Sequence, residues 1–431
     1  MSEKFNRQPS QNPPCGLKPE NIPQLVAFTF DDNTYSGLPG SGAEGGMKFI
    51  VDTLTSRKNP AGNNAECFDG TQVAGTFYLK GNNACENPFE DDSLVKKSWR
   101  EAYEKGCEIG THTYSHPHGM EYDWDASPAK RIPIIDVQGW TDEINKCLDV
   151  ITKPWNPDVK EHETQYGIGV DRKDIIGHRT PFLEFNDHAY TALQNLGFEY
   201  EAAVEEGWQD DQDGSNFLWP YTLDNGCEGD KWVSEYFYDG SKPLIGKHPG
   251  LWCLPCYAIV VPPDEKCEEY GTTVGARARM KKEVDSFDES TGKITGLDWN
   301  IWFEYYMTAE DALATLKYSF DLRYNGNRCP WPIGFHSDIY SSKYDINDLE
   351  GDDPAKIRAN AEQRREVVIK LVDYILSKPD ARIVTAKDML NWIKNPKALR
   401  SLRAVQIVRT SYGRKKKASQ FCEAFFYACA Q

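Results

Sequence analysis

The chain's 431 residues can bury one large core, and 39% hydrophobic with 12% aromatic content excludes a disordered polymer. A formal net charge of −17 argues against nucleic acid or an anionic membrane as partner, while tolerating a neutral or cationic polymer. No apolar run approaches the roughly 20 residues a membrane-spanning helix needs.

Residues 1–23 read as a polar arm rich in Pro and Asn, expected to be tied down through Cys15. Met1 to Pro14 lacks an apolar core, so no signal peptide is read in this numbering. From residue 24 onward, short apolar runs at 24–30, 73–79, 107–112, 174–178, 198–204, 256–262, 332–336 and 382–385 predict strands. Helical patterns lie between them, the signature of βα units around a parallel sheet or barrel. Trp140, Ile144, Leu148 and Ile151 share one helix face. Thr308 with Asp311 resembles a capping box, and Asp353-Pro354 predicts the start of a helix running toward Leu376. Residues 205–255 and 263–300 break the rhythm and read as inserted loop walls. After Pro396 the chain turns into a basic extension, 396–431, with Arg414-Lys415-Lys416-Lys417 most simply a solvated tail.

Twelve cysteines scattered from Cys15 to Cys429 predict a disulfide framework, and with it a secreted protein. Their pairing is not legible. Cys253-Leu254-Pro255-Cys256 matches a redox spacing, but structural bridges explain it better in so cysteine-rich a chain. The glycines from Gly40 to Gly45 stand too far past a strand for a dinucleotide loop. No G-x-S-x-G occurs, so a serine-esterase elbow is unsupported.

Four pieces carry chemistry. Asp31-Asp32 ends the first strand, where barrel active sites collect, although an acidic turn explains it as well when taken alone. His112 and His116, four apart after a strand, complete with Asp32 a usual three-ligand set for a catalytic zinc-like ion. Asp31 is then free to act as a base. Thr113 is placed to hydrogen-bond across the short turn and hold His116. In His178-Arg179-Thr180-Pro181-Phe182, Arg179 can pin the base in its ionised form. Pro181 fixes the turn, so the Phe182 N–H can face a developing oxyanion. His336, ending the strand 332–336, suits a general acid for a leaving amine, with a core histidine as the plainer alternative. Together the pieces predict a metal-dependent hydrolase.

In this order the four motifs resemble the polysaccharide deacetylases of carbohydrate esterase family four, over about residues 20–395. Trp219-Pro220-Tyr221-Thr222-Leu223-Asp224 and Arg328-Cys329-Pro330 look like the chitin-deacetylase-type members. The resemblance implies an α/β fold, a deformed (β/α)7-type barrel with long loop insertions and disulfides, occupying residues 24–395. It implies Zn2+, or a similar ion such as Co2+ or Ni2+, on Asp32, His112 and His116. Asp31 is the implied base, Arg179 its tether and His336 the acid, with Trp219 lining an acetyl pocket beside Pro181. The family's aspartate that orients the acidic histidine is missing after the strand near 198–200, where Glu201 stands as its replacement. The expectation is a secreted, monomeric deacetylase of N-acetylglucosamine polysaccharide, chitin first, with no nucleic-acid or membrane partner. Acetyl xylan or peptidoglycan as substrate, and a glycan-binding protein with a weakened site, remain alternatives.

Overall fold

The computed structural model describes residues 7–236, 243–347 and 355–399. Strand β1 (Gln24–Asp31) is buried along its whole length, as a parallel strand covered on both faces must be. Its side chains alternate between two cores. Leu25 and Ala27 join the cluster that holds Tyr78, Tyr200 and Trp252, whereas Val26, Phe28 and Phe30 pack in the larger cluster with the helices. This period of two sends Thr29 and Asp31 to the same side as Leu25 and Ala27.

Eight further strands complete the main sheet: β2 (Thr76–Leu79), β3 (Glu108–Thr111), β4 (Gly177–His178), β5 (Tyr200–Glu201), β6 (Tyr221–Leu223), β7 (His248–Cys253), β8 (Trp331–His336) and β9 (Ala381–Ile383). In space the order is β8–β1–β2–β3–β4–β5–β7, all parallel, with β6 antiparallel at the edge beside β7. Strand β9 pairs with the beginning of β1 and β2 with its end. The result is the expected mixed α/β fold, a curled sheet of eight parallel strands and one antiparallel edge strand, left open between β8 and β6.

Helices α1 (Gly46–Thr55), α2 (Asp92–Glu104), α3 (Val137–Thr152), α4 (Asp187–Asn195), α5 (Ala309–Asn325), α6 (Ala361–Leu376) and α7 (Ala386–Lys394) alternate with these strands. In α3, Trp140, Ile144, Leu148 and Ile151 are buried as their spacing requires. Thr308 caps α5 by accepting the Asp311 N–H at 3.2 Å. The Asp311 carboxylate turns instead to Arg279, so the reciprocal half of a capping box is not made. Helix α6 starts at Ala361 behind a full Asn360/Gln363 capping box. Asp353 and Pro354 lie outside the described residues, as does the basic run 414–417.

Three expectations need correction. The region 205–255 is more than a loop wall, because it supplies β6 and β7. Its apolar part, Leu251 to Cys253, is short and follows the turn-like His248-Pro249-Gly250, which hid the strand. The run 256–262 stays outside the main sheet, Cys256–Tyr257 pairing with Glu205–Glu206 and Ile259–Val260 with Lys293–Ile294. Finally, Cys67, Cys85, Cys107, Cys147, Cys227, Cys253, Cys256, Cys267 and Cys329 are buried free thiols, so the expected disulfide framework is not formed among them. Cysteine is among the most readily buried residues and fills a core as a small hydrophobe. Backbone bonds hold the N-terminal arm: Trp219 N–H donates to the Ser10 carbonyl and Thr222 N–H to that of Arg7, both at 2.9 Å.

Candidate active site

Asp31 and Asp32 leave the end of β1 in different directions because the backbone turns left-handed at Asp32 (φ 63°) and Asn33 (φ 64°). Thr113, His116, Phe182 and Leu183 also have positive φ. Such conformations cost on the order of 1–3 kcal/mol each and gather at functional loops. Asp31 stays inside the barrel mouth. Arg179, fully buried, donates from one terminal nitrogen to Asp31 at 2.9 Å, from the other to Thr29 at 2.9 Å, and from Nε to the Ala202 carbonyl at 2.9 Å. The guanidinium also lies over the Tyr78 ring, 4.7 Å from its centroid. Every Arg179 nitrogen is thereby engaged, and the carboxylate is held in one pose.

Asp32 faces two imidazoles. Its Oδ1 lies 3.9 Å from His112 Nε2 and 3.8 Å from His116 Nε2, too far for hydrogen bonds. That oxygen is buried and has no hydrogen-bond partner among the described residues. One donor atom from each of the three residues falls within 4.8 Å of the others. A tetrahedral ion with bonds of roughly 2.1 Å separates its donors by about 3.4 Å, so a small contraction would close this set on a cation. His112 Nδ1–H donates to the Arg179 carbonyl at 2.7 Å, which leaves the Nε2 lone pair aimed at Asp32. The Thr113 hydroxyl donates to the His112 carbonyl and accepts the His116 N–H at 3.1 Å, fixing the turn that carries both rings. Burial disfavours charge on Asp32, but the surrounding imidazoles, the charged His336 among them, and Lys80 outweigh it and hold its carboxyl well below the usual range. Burial also pushes the His116 pKa down to about 3, keeping that ring neutral. A charged oxygen and two ring nitrogens with no hydrogen bond between them fit a divalent ion such as zinc.

His336 stands opposite. It ends β8 in register with Asp31 on β1. Its Nδ1–H donates to Asp298 at 2.7 Å, and its own N–H donates to the other Asp298 oxygen at 3.0 Å, which also accepts from the Tyr340 hydroxyl at 3.0 Å. Burial opposes a charge on the ring, but Asp298, with Asp31 and Asp32 behind it, raises the pKa to about 10. Asp298 escaped the reading of the sequence and has no local signal to give it away. It arrives because residues 296–298 run beside β8 in the gap of the barrel, Leu297 bridging to Gly334. Gly334 permits the approach, since a Cβ there would stand 2.2 Å from the Leu297 side chain.

Glu201 does not orient His336, contrary to expectation. Its carboxylate accepts the Thr180 N–H at 3.0 Å and hydroxyl at 2.9 Å on one oxygen, and the Tyr190 hydroxyl and Ala203 N–H on the other. It pins the Arg179 turn to β5. Trp219 is also displaced from its expected place: it is fully buried beside Trp392, with Arg7 above its ring. Pro181 is buried and opens the short helical turn that presents Phe182. Phe182 is half exposed, stacks on His118 at 3.9 Å and meets the edge of His116 at 4.3 Å. The cavity over the cluster measures about 540 Å³. Asp31, Asp32, His112, His116, Phe182 and His336 line it, with Tyr122, Leu297 and Trp299 as apolar walls.

The polysaccharide deacetylase family model matches residues 18–200, the part that carries Asp31, Asp32, both cluster histidines and Arg179. Chitin deacetylase 8 of Bombyx mori is 23% identical over 389 residues, which cover 90% of this chain and 74% of that protein. A putative polysaccharide deacetylase from Mycobacterium smegmatis superimposes over 86% of this chain and 90% of its own at 15% identity, with a TM-score of 0.42. A family 4 carbohydrate esterase from Streptomyces lividans covers 42% of this chain and 64% of its own at 20% identity, with a TM-score of 0.24. The two overlays are loose and add nothing to the sequence match, which likens residues 18–200 of this chain to the polysaccharide deacetylase family.

Proposed function

We propose that the chain hydrolyses the N-acetyl group of N-acetylglucosamine units in chitin or a related glycan, releasing acetate. A divalent ion such as zinc on Asp32, His112 and His116 would acidify water and polarise the acetyl carbonyl. Asp31 takes the proton from the attacking water, and Arg179 holds its carboxylate aimed. The Phe182 N–H donates to the oxygen on which negative charge develops. His336, charged through Asp298, hands its proton to the departing nitrogen. An amine leaving group needs that proton far more than an alkoxide does. The His336–Asp298 pair is therefore the observation that favours amide over acetyl ester, and an intact acid over a weakened glycan-binding site.

The test is acetate release from chitin pentamer with and without chelator, beside Asp31→Asn. The reading expects turnover that stops with chelator and returns with zinc, cobalt or nickel, and an Asp31→Asn protein that still binds metal without turning over. An active Asp31→Asn protein, or turnover indifferent to chelator, overturns it.

A further inference from the structure

Next to the cavity over the cluster lies a second one of about 660 Å³. The two share Glu205, Thr295 and Asn300 as a common wall, so they form one continuous cleft. The second chamber has three tryptophans in its lining. Trp208 and Trp232 stack at 6.1 Å with an interplanar angle of 17°. Trp124 stacks on Tyr122, which lines the first cavity, at 5.2 Å. Broad, flat side chains of this kind suit the apolar face of a pyranose, and indole is also the strongest aromatic partner for an ammonium group.

The charged lining is mainly acidic. Glu205, Asp210, Asp288 and Glu304 face the chamber with Lys293 as the opposing charge, and the Lys293 ammonium donates to the Gln209 carbonyl at 3.0 Å. Glu205 accepts from Thr295 at 2.8 Å, and Glu304 accepts from Asn300 across the shared wall. Asn300 to Glu304 form a π-helical turn, a rare geometry that recurs at functional sites. Burial first, and for Glu205 also the neighbouring Glu304, push both carboxyls above their usual range. A cation between them would relieve that cost.

Taking the deacetylase reading as its premise, we propose that the tryptophan-walled chamber binds an already deacetylated, ammonium-bearing hexosamine unit of the same polymer. Its neighbour, still acetylated, then lies over Asp32, His112 and His116. The protein thus prefers partly deacetylated chains to fully acetylated ones, and Glu205 and Glu304 set that preference. The net charge of −17 works in the same direction for a cationic chain.

The experiment is calorimetric titration of the zinc-loaded full chain carrying Asp31→Asn, which spares acetylated ligand, with an all-glucosamine tetramer, an all-N-acetylglucosamine tetramer and calcium chloride in turn. The glucosamine tetramer should bind at least tenfold tighter than the acetylated one and weaken with added salt. Adding Glu304→Gln should bring the ratio to about one, and Trp208→Ala should weaken both sugars. Equal or tighter binding of the acetylated tetramer overturns the proposal. So does a preference that survives both Glu304→Gln and Glu205→Gln, or calcium binding that depends on Glu304 without any sugar preference. Because binding is read without turnover, a preserved amine preference with no acetate release from the parent protein would defeat only the deacetylase reading.

Discussion

Two carboxylate–imidazole groupings share the barrel mouth, and they are built to opposite ends. Around Asp32 the oxygen stands 3.8–3.9 Å from each Nε2, and His116 is held neutral. Around Asp298 the contact to His336 is 2.7 Å, and the imidazole is held charged. The difference is where the hydrogen bonds go. His112 spends its Nδ1–H on a carbonyl, leaving a lone pair facing the carboxylate, whereas His336 spends its own on the carboxylate itself. On the proposed reading the first grouping would hold a cation and the second a proton.

Mutations can break this contrast in graded steps. Asp31→Asn, between the two groupings, should lower turnover on chitin pentamer by about 1,000-fold or more, within the range for loss of a positioned base. Metal content by elemental analysis should not change. Asp298→Asn comes next. It should cost about 100-fold in kcat on the amide and less on an aryl acetate ester. It should also move the alkaline limb of the pH–rate profile downward, because a ring protonated up to about pH 10 loses its anionic support. An unmoved alkaline limb would mean that His336 is not the acid. Thr113→Val removes the hydroxyl that bonds the His116 N–H and should weaken metal binding about tenfold, read by competition with a chelator. Trp219→Phe, far from the cavity in contact terms, should leave KM and kcat within about twofold and cost only stability.

A smaller effect concerns stability alone. Burial pushes the Glu108 carboxyl up to about 7 from its ordinary 4.5. Between those values the unfolded chain has released a proton that the folded chain keeps, so this group makes stability fall as pH rises. Glu108→Gln should flatten the fall in Tm over that window. A slope unchanged by the substitution would place the titration elsewhere.

The same contrast explains what could be read in advance. Asp32, His112 and Arg179 each follow a strand directly, His336 ends one and His116 stands one turn past His112, so local apolar pattern was enough to bring them to one end of a parallel barrel. Asp298 and the β6–β7 edge were not legible, since each depends on pairing across long stretches of chain. Glu201 shows the converse hazard: it sits where a family pattern expects an orienting carboxylate, yet Thr180, Tyr190 and Ala203 claim both its oxygens. Trp219, expected in an acetyl pocket, is held in the core by Trp392.

What the residues determined by themselves was the parallel α/β architecture and the set of groups delivered by strand ends, because period-two burial and strand direction are local properties. Tertiary structure alone decided the charge state of His336, the duty of Glu201 and the course of the cleft beyond Asn300. Those depend on which buried donors and acceptors meet, and in a closely packed interior that is settled by separate segments of the chain, such as Asp298 and His336 at 2.7 Å, coming together only in the fold.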